Sequence, residues 1–153
     1  MKIEIERKFL LRDNSWKQHA IGVTYRQGYL NENGLNTVRV RIAGDRGYLA
    51  IKSKNKGISR QEFEYEIPQT DASELLKLAG DSVVEKIRYT ITYGGNQWEV
   101  DEFLGKNSGL LVAEIELSSE DQPFDRPLWL GKEVSDDIRY YNANLAKHPF
   151  SEW

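Results

Sequence analysis

Charge sign is sorted by segment along this chain, and that sorting limits the folds open to it. Residues two apart in an extended segment point to the same side. Read that way, the polar sides run Glu4-Glu6-Lys8, Arg39-Arg41, Lys52-Lys54, Glu62-Glu64-Glu66, Lys86-Arg88 and Glu114-Glu116. The opposite sides carry Ile3, Ile5 and Phe9, then Val38, Val40 and Ile42, and further on Ile87, Tyr89 and Ile91 or Ala113, Ile115 and Leu117. A solvated strand face normally mixes signs with Ser and Thr. Here acidic and basic rows sit on separate segments. Closing such strands into a barrel with the charged sides inward sets acidic strands against basic ones across a watery lumen, which avoids the cost of unpaired buried charge. The apolar sides then face outward and need helices, a crossing segment or a partner subunit to cover them.

Eight strand-like segments are legible, at 2–11, 23–31, 37–43, 47–54, 59–67, 82–93, 97–104 and 110–118. Asn33-Gly34, Gly44-Asp45 and Gly94-Gly95 supply turns between them. Asp13-Asn14-Ser15 caps a short turn or helix through Ala20, and an amphipathic helix runs from Thr70-Asp71 to Gly80 with Leu75, Leu76 and Ala79 on its apolar side. A crossing at 122–131, broken by Pro123 and Pro127, leads to a second helix at 135–147. The predicted fold is α+β but mainly β, a closed eight-stranded antiparallel barrel with flanking helices, in one domain over residues 1–153.

Composition narrows the function classes. No Cys occurs among the 153 residues, which excludes disulfides, thiolate metal sites and cysteine nucleophiles. No apolar run is long enough to span a bilayer and the net charge is only -3, so a cytoplasmic protein with neither membrane nor nucleic acid as partner is expected. Outward apolar strand faces that two modest helices leave partly bare point to a homodimer. His19 and His148 stand apart from any cluster and are read as surface residues. Tyr25, Tyr29, Tyr48 and Trp98 are read as packing residues, with ring stacking at a tunnel mouth as their other use.

A lumen lined by Lys8, Arg39, Arg41, Lys52, Lys54, Lys86 and Arg88 suits a strongly anionic ligand, because guanidinium forks match phosphate oxygens and ammonium groups add point charge. Glu4, Glu6, Glu114 and Glu116 supply hard oxygen donors for a divalent cation such as Mg²⁺ or Mn²⁺ touching the same phosphates. Lys8 or Lys86 is the candidate base for chemistry on such a ligand, since neighbouring cations favour the neutral amine.

These rows together resemble the triphosphate tunnel metalloenzymes, the CYTH superfamily. The likeness begins with Glu4-x-Glu6-x-Lys8, continues through Arg39-x-Arg41, Lys52, Arg60-x-Glu62-x-Glu64, Lys86-x-Arg88, Asp101 and Glu114-x-Glu116, and covers nearly the whole chain. Asp137-x-Arg139-Tyr140-x-Asn142 is similar to the family's closing helix, which plugs one end of the tunnel. The resemblance implies Mg²⁺ or Mn²⁺ dependence, adds Arg60 to the substrate-binding set, and implies attack on the terminal phosphate of a triphosphate. The short chain looks most like small bacterial members that cleave tripolyphosphate to pyrophosphate and phosphate. A class IV-type adenylate cyclase, a thiamine triphosphatase and a non-catalytic polyphosphate- or nucleotide-binding module are the other readings. No His-Phe pair precedes Glu4, which weighs against the cyclase.

Overall fold

In the computed structural model, which describes residues 2–18, 20–31 and 35–153, the long strands close on themselves. They are β1 (Lys2–Leu11), β2 (Gly22–Tyr29), β3 (Asn36–Ala43), β4 (Arg46–Ser53), β5 (Ser59–Ile67), β6 (Val83–Tyr93), β7 (Asn96–Phe103) and β8 (Leu111–Glu116). The ring runs β1-β5-β4-β3-β2-β6-β7-β8 and back to β1, antiparallel at every junction. The Asn33-Gly34 turn and His19 lie outside the described residues. Among the described residues no helix is long and apolar enough to cross a membrane.

Alternation along each strand puts the chemistry inside and the packing outside. Ile5, Phe9, Tyr89, Trp98, Val100, Ala113, Ile115 and Leu117 form a buried cluster on the outer surface, covered by Trp16 from the first turn and by Trp129 and Leu130 from the crossing. On the other side, α1 (Gln69–Leu78) lays Ala72 and Leu76 over Val40. It sits close enough that a Cβ on Gly28 would fall 2.7 Å from the Ala79 methyl, and one on Gly47 would fall 2.7 Å from that of Ala72. Glycine at both positions lets the helix rest on bare backbone.

The inward rows change character along their length. Val84, Phe103 and Val112 continue the rows of Lys86, Asp101 and Glu114, and with Leu110, Val134, Tyr140 and Leu145 they fill one end of the barrel. That apolar stopper closes the tunnel there.

Two departures from the sequence reading lie in the C-terminal third. A ninth strand, β9 (Leu130–Glu133), pairs with β1 at Phe9 and Leu11, beyond the stretch of β1 that pairs with β5. The helix expected at 135–147 is two short pieces, a 3₁₀ turn at Ile138–Tyr140 and α2 (Asn142–Lys147). Asp137 accepts from the Arg139 amide and caps the turn, and the extended backbone of Tyr141 separates the two pieces.

Candidate active site

The lumen is a cavity of about 660 Å³ whose wall divides into two contiguous halves. β4, β3, β2 and β6 contribute Lys52, Arg39, Arg41, the neutral Tyr25, Gln27 and Tyr29, and then Lys86 and Arg88. β5, β1, β8 and β7 contribute Glu62 and Glu64, Glu4 and Glu6, Glu114 and Glu116, and Glu99. Opposite charge thus meets at the two seams and across the cavity. Lys8 and Arg60 are cations within the acidic half, and each is held there by a cross-strand glutamate, Lys8 to Glu114 at 2.8 Å and Arg60 to Glu4 at 3.0 Å. Ile5, Val40, Ile87 and Ile115 are absent from the wall, as the alternation requires.

Register explains which pairs form. Arg88 and Asp101 are direct partners in the β6–β7 ladder, and Arg88 grips both carboxylate oxygens at 2.7 and 2.8 Å. Asp101 also accepts from Lys86 at 2.8 Å. Arg39 reaches Glu64 at 2.8 Å across β4, where the residue aligned with both is the small Ala50. Lys52 is shared between Glu4 at 3.0 Å and Glu62 at 3.3 Å. Arg41 differs from its neighbours: its Nε donates to Gln27, and among the described residues it has no carboxylate partner. The Arg39 Nε is buried and, among the described residues, has no hydrogen-bond partner. The Arg41 guanidinium lines the cavity with donors that no carboxylate takes up, the complement of an anion.

Electrostatics separates the two candidate bases. Burial and the adjacent Arg88 lower Lys86 to about 7 against the pull of Asp101 and Glu114. Asp101 stays ionised and is gripped by Arg88, so one negative charge serves two cations and Lys86 is the one able to lose its proton. Lys8 goes the other way: burial opposes its charge, but Glu114 and Glu6 overrule it and raise it above the ordinary lysine range. Lys8 is therefore a fixed cation. Burial, Arg39 and Arg88 lower Arg41 to about 10, which reflects three crowded guanidinium groups.

The four glutamates read as metal ligands differ among themselves. Burial works against the Glu4 carboxylate, yet Lys52 and Arg60 hold it at about 2. Glu114 is likewise held well below the carboxylate range by Lys8 and Arg88, against its burial. Burial and Glu114 raise Glu6 to about 7. Glu116 pairs with Lys2 at 2.7 Å. Among the described residues no three acidic or histidine side chains converge closely enough to form a metal cage. The Lys8 ammonium instead stands between Glu6, at 3.3 Å, and Glu114.

Several wall contacts go beyond the site residues picked out from the sequence. Gln27 links Arg41 to the Tyr29 hydroxyl, Glu99 pairs with Arg88 at 3.1 Å, and Asn142 from α2 accepts from Lys86 at 3.0 Å. Tyr25 and Tyr29 do line the cavity, whereas Trp98 is buried in the outer cluster. His148 is exposed.

A closed antiparallel barrel with its packing outside and a two-signed lumen inside defines a tunnel protein for polyanions. The chain belongs to the CYTH domain family, whose pattern matches residues 2–148. Over 151 residues it is 49% identical to the inorganic triphosphatase of Acetivibrio thermocellus, spanning 98% of this chain and 97% of that protein. It is 39% identical over 148 residues to the inorganic triphosphatase of Nitrosomonas europaea, spanning 94% and 96%. The fold superimposes on the crystal structure of an inorganic triphosphatase with a TM-score of 0.70 at 36% identity, covering 93% of this chain and 96% of that one.

Proposed function

We propose that this protein hydrolyses inorganic tripolyphosphate to pyrophosphate and phosphate, with Mg²⁺ or Mn²⁺ as the metal, inside the tunnel. The observation that carries the reading is Arg41, a partly buried residue with no carboxylate partner among the described residues, set beside Arg39 and Arg88 and opposite an acidic wall. Relatives acting as inorganic triphosphatases over nearly the full chain support it.

In this reading Arg39, Arg41, Lys52, Arg60 and Arg88 hold the phosphate chain, and Lys8 contributes a permanent positive charge. Water attacks the terminal phosphorus and passes its proton to the neutral Lys86 amine as the bond to the bridging oxygen breaks and pyrophosphate leaves. Glu4, Glu6, Glu114 and Glu116 are the residues that would hold the divalent cation. Their donor chemistry suits one: they are hard oxygen donors, and although the four do not converge into a cage among the described residues, Glu6 and Glu114 already flank a cation, the Lys8 ammonium. When bound, the metal neutralises phosphate charge and polarises the phosphoryl oxygens.

The test is phosphate release from tripolyphosphate, ATP, thiamine triphosphate and pyrophosphate with each metal. Fastest turnover of tripolyphosphate is the expected result. Preferred turnover of ATP or thiamine triphosphate, or tight binding without release, would replace the reading with a nucleotide-directed enzyme or a binding module.

We also infer a cytoplasmic homodimer. Ile51 and Phe63, cross-strand partners on the outer face of β4 and β5, are 41% and 36% exposed, and the neighbouring Tyr65 is 58% exposed, so α1 leaves this face uncovered. A strict monomer in sedimentation at high concentration would remove the dimer.

A further inference from the structure

The short helix that closes the tunnel also reaches its chemistry. Tyr141 and Asn142, adjacent residues at the start of α2, face the two candidate lysines: the Lys8 Nζ lies 5.8 Å from the Tyr141 ring centre, and the Lys86 Nζ donates to Asn142 Oδ1 at 3.0 Å. Lys86 has a second fixed acceptor, Asp101 Oδ2 at 2.8 Å, and Asp101 is itself immobilised by both donors of the Arg88 fork.

A neutral lysine amine has two N–H groups and one lone pair. At Lys86 two acceptors are in place, one on β7 and one on α2, so both N–H groups are spoken for once the third proton has left. The lone pair takes the remaining direction. From the geometry we propose that Asn142 is a positioning residue that turns the lone pair of Lys86 toward the tunnel. The proposal rests on the reading of Lys86 as the base and says what makes that base productive.

The amide suits the task where a carboxylate would not. The charged groups facing Lys86 are Asp101 from β7, Arg88 from β6, Arg41 from β3 and Glu114 from β8, with the Tyr25 and Phe103 rings 6.0 and 5.7 Å away. That balance leaves Lys86 close to losing its proton, and a second carboxylate at 142 would tip it back. A neutral acceptor orients the amine without adding negative charge. The helix bearing it is fixed in turn: Leu145 has no exposed surface, and the buried Asn107 donates to the Leu145 carbonyl and accepts from the Phe150 amide. The base therefore has an orienter and the orienter has a support, the arrangement that an activated nucleophile or base requires.

The experiment combines two readouts on Asn142→Asp and Asn142→Ala. Lysine labelled with ¹³C at Cε is titrated by NMR in the substrate-free protein, with the Lys86 signal identified by its loss in Lys86→Arg. The pH profile of kcat on tripolyphosphate is measured on the same samples. Asn142→Asp, which keeps the side-chain shape, is expected to raise the Lys86 midpoint by more than one pH unit and to move the acid limb of kcat with it, activity returning at high pH. Asn142→Ala is expected to lower kcat more than tenfold at every pH with little change in KM. An unmoved Lys86 midpoint in Asn142→Asp, or an unchanged plateau kcat in Asn142→Ala, would overturn the proposal. A wild type that titrates Lys86 near neutrality but releases phosphate from no triphosphate would sink the hydrolase reading instead, so the two failures are distinguishable.

Discussion

Glu6 and Glu116 stand directly opposite each other in the β1–β8 ladder, a like-charge pair at the open side of the acidic half. Directly opposed like charges destabilise a sheet, and Glu6 in addition has Glu114 beside it. Its folded-state value of about 7 exceeds the ordinary 4.5, so between those values the native protein binds more protons and stability falls as pH rises through the window. Glu6→Gln is expected to stabilise the metal-free protein at pH 8 by about 1–3 kcal/mol. Urea melts of both proteins with chelator present, at pH 5 and pH 8, check it: the gain should shrink at the lower pH.

Glu4→Gln is expected to act in the opposite direction. Lys52 and Arg60 hold Glu4 at about 2, so its stabilising contribution is complete above 4.5 and is lost as pH falls toward 2. Removing the charge leaves two buried or half-buried cations without their shared partner, at a cost of about 2–4 kcal/mol at pH 7. A thermal midpoint equal to wild type would contradict the pairing.

Chelation should abolish tripolyphosphate hydrolysis, and Mg²⁺ or Mn²⁺ should restore it. Metal at a hundred times its dissociation constant adds about 2.7 kcal/mol of stability if only the folded state binds it. Glu6→Gln should lose both the activity and the metal-induced rise in melting temperature. Retention of the rise would move the metal away from the first strand.

Arg41→Ala and Arg88→Ala separate binding from structure. Among the described residues Arg41 has no carboxylate to abandon, so its loss should raise KM for tripolyphosphate by about 10- to 100-fold, the worth of one charge-assisted hydrogen bond, and leave stability intact or improved. Arg88→Ala strips Asp101 of its fork and should destabilise the protein by about 3–5 kcal/mol. Equal melting temperatures for the two variants would refute the distinction.

Lys86→Arg is expected to lower kcat by about 10²- to 10⁴-fold with KM little changed, because a guanidinium cannot accept the proton. In wild type, kcat should rise with pH across the neutral range as Lys86 deprotonates. Stability should rise as well between about 7 and the ordinary 10.5, since there the unfolded chain binds the extra proton. A flat pH profile would argue against Lys86 as base.

The eight barrel strands could be read from alternation, because a period of two persists for six residues or more in each and, in every strand but β2, one side carries the charge. β9 offers no such signal: four residues with Gly131 in them become a strand only because the far end of β1 has an edge to share. The break at Tyr141 was equally hidden, since nothing in the local pattern opposes one continuous helix through it. Alternation placed Glu6, Arg41 and Lys86 on one surface, but it could not say which end of the lumen is stoppered; Val84, Phe103 and Val112 look like ordinary strand residues until the C-terminal segment seals over them. The contrast between Lys8 and Lys86 was also out of reach, because it depends on which carboxylates the register brings alongside.

Phe9, Trp98 and Ile115 hold the barrel together from its outer skin, so the uncharged positions of the inner wall carry little of the burden of folding. An enzyme engineer could therefore rewrite the inner wall, exchanging Gln27, Tyr29 or Thr37 to admit a bulkier leaving group, while the coat that keeps the strands in register stays as it is.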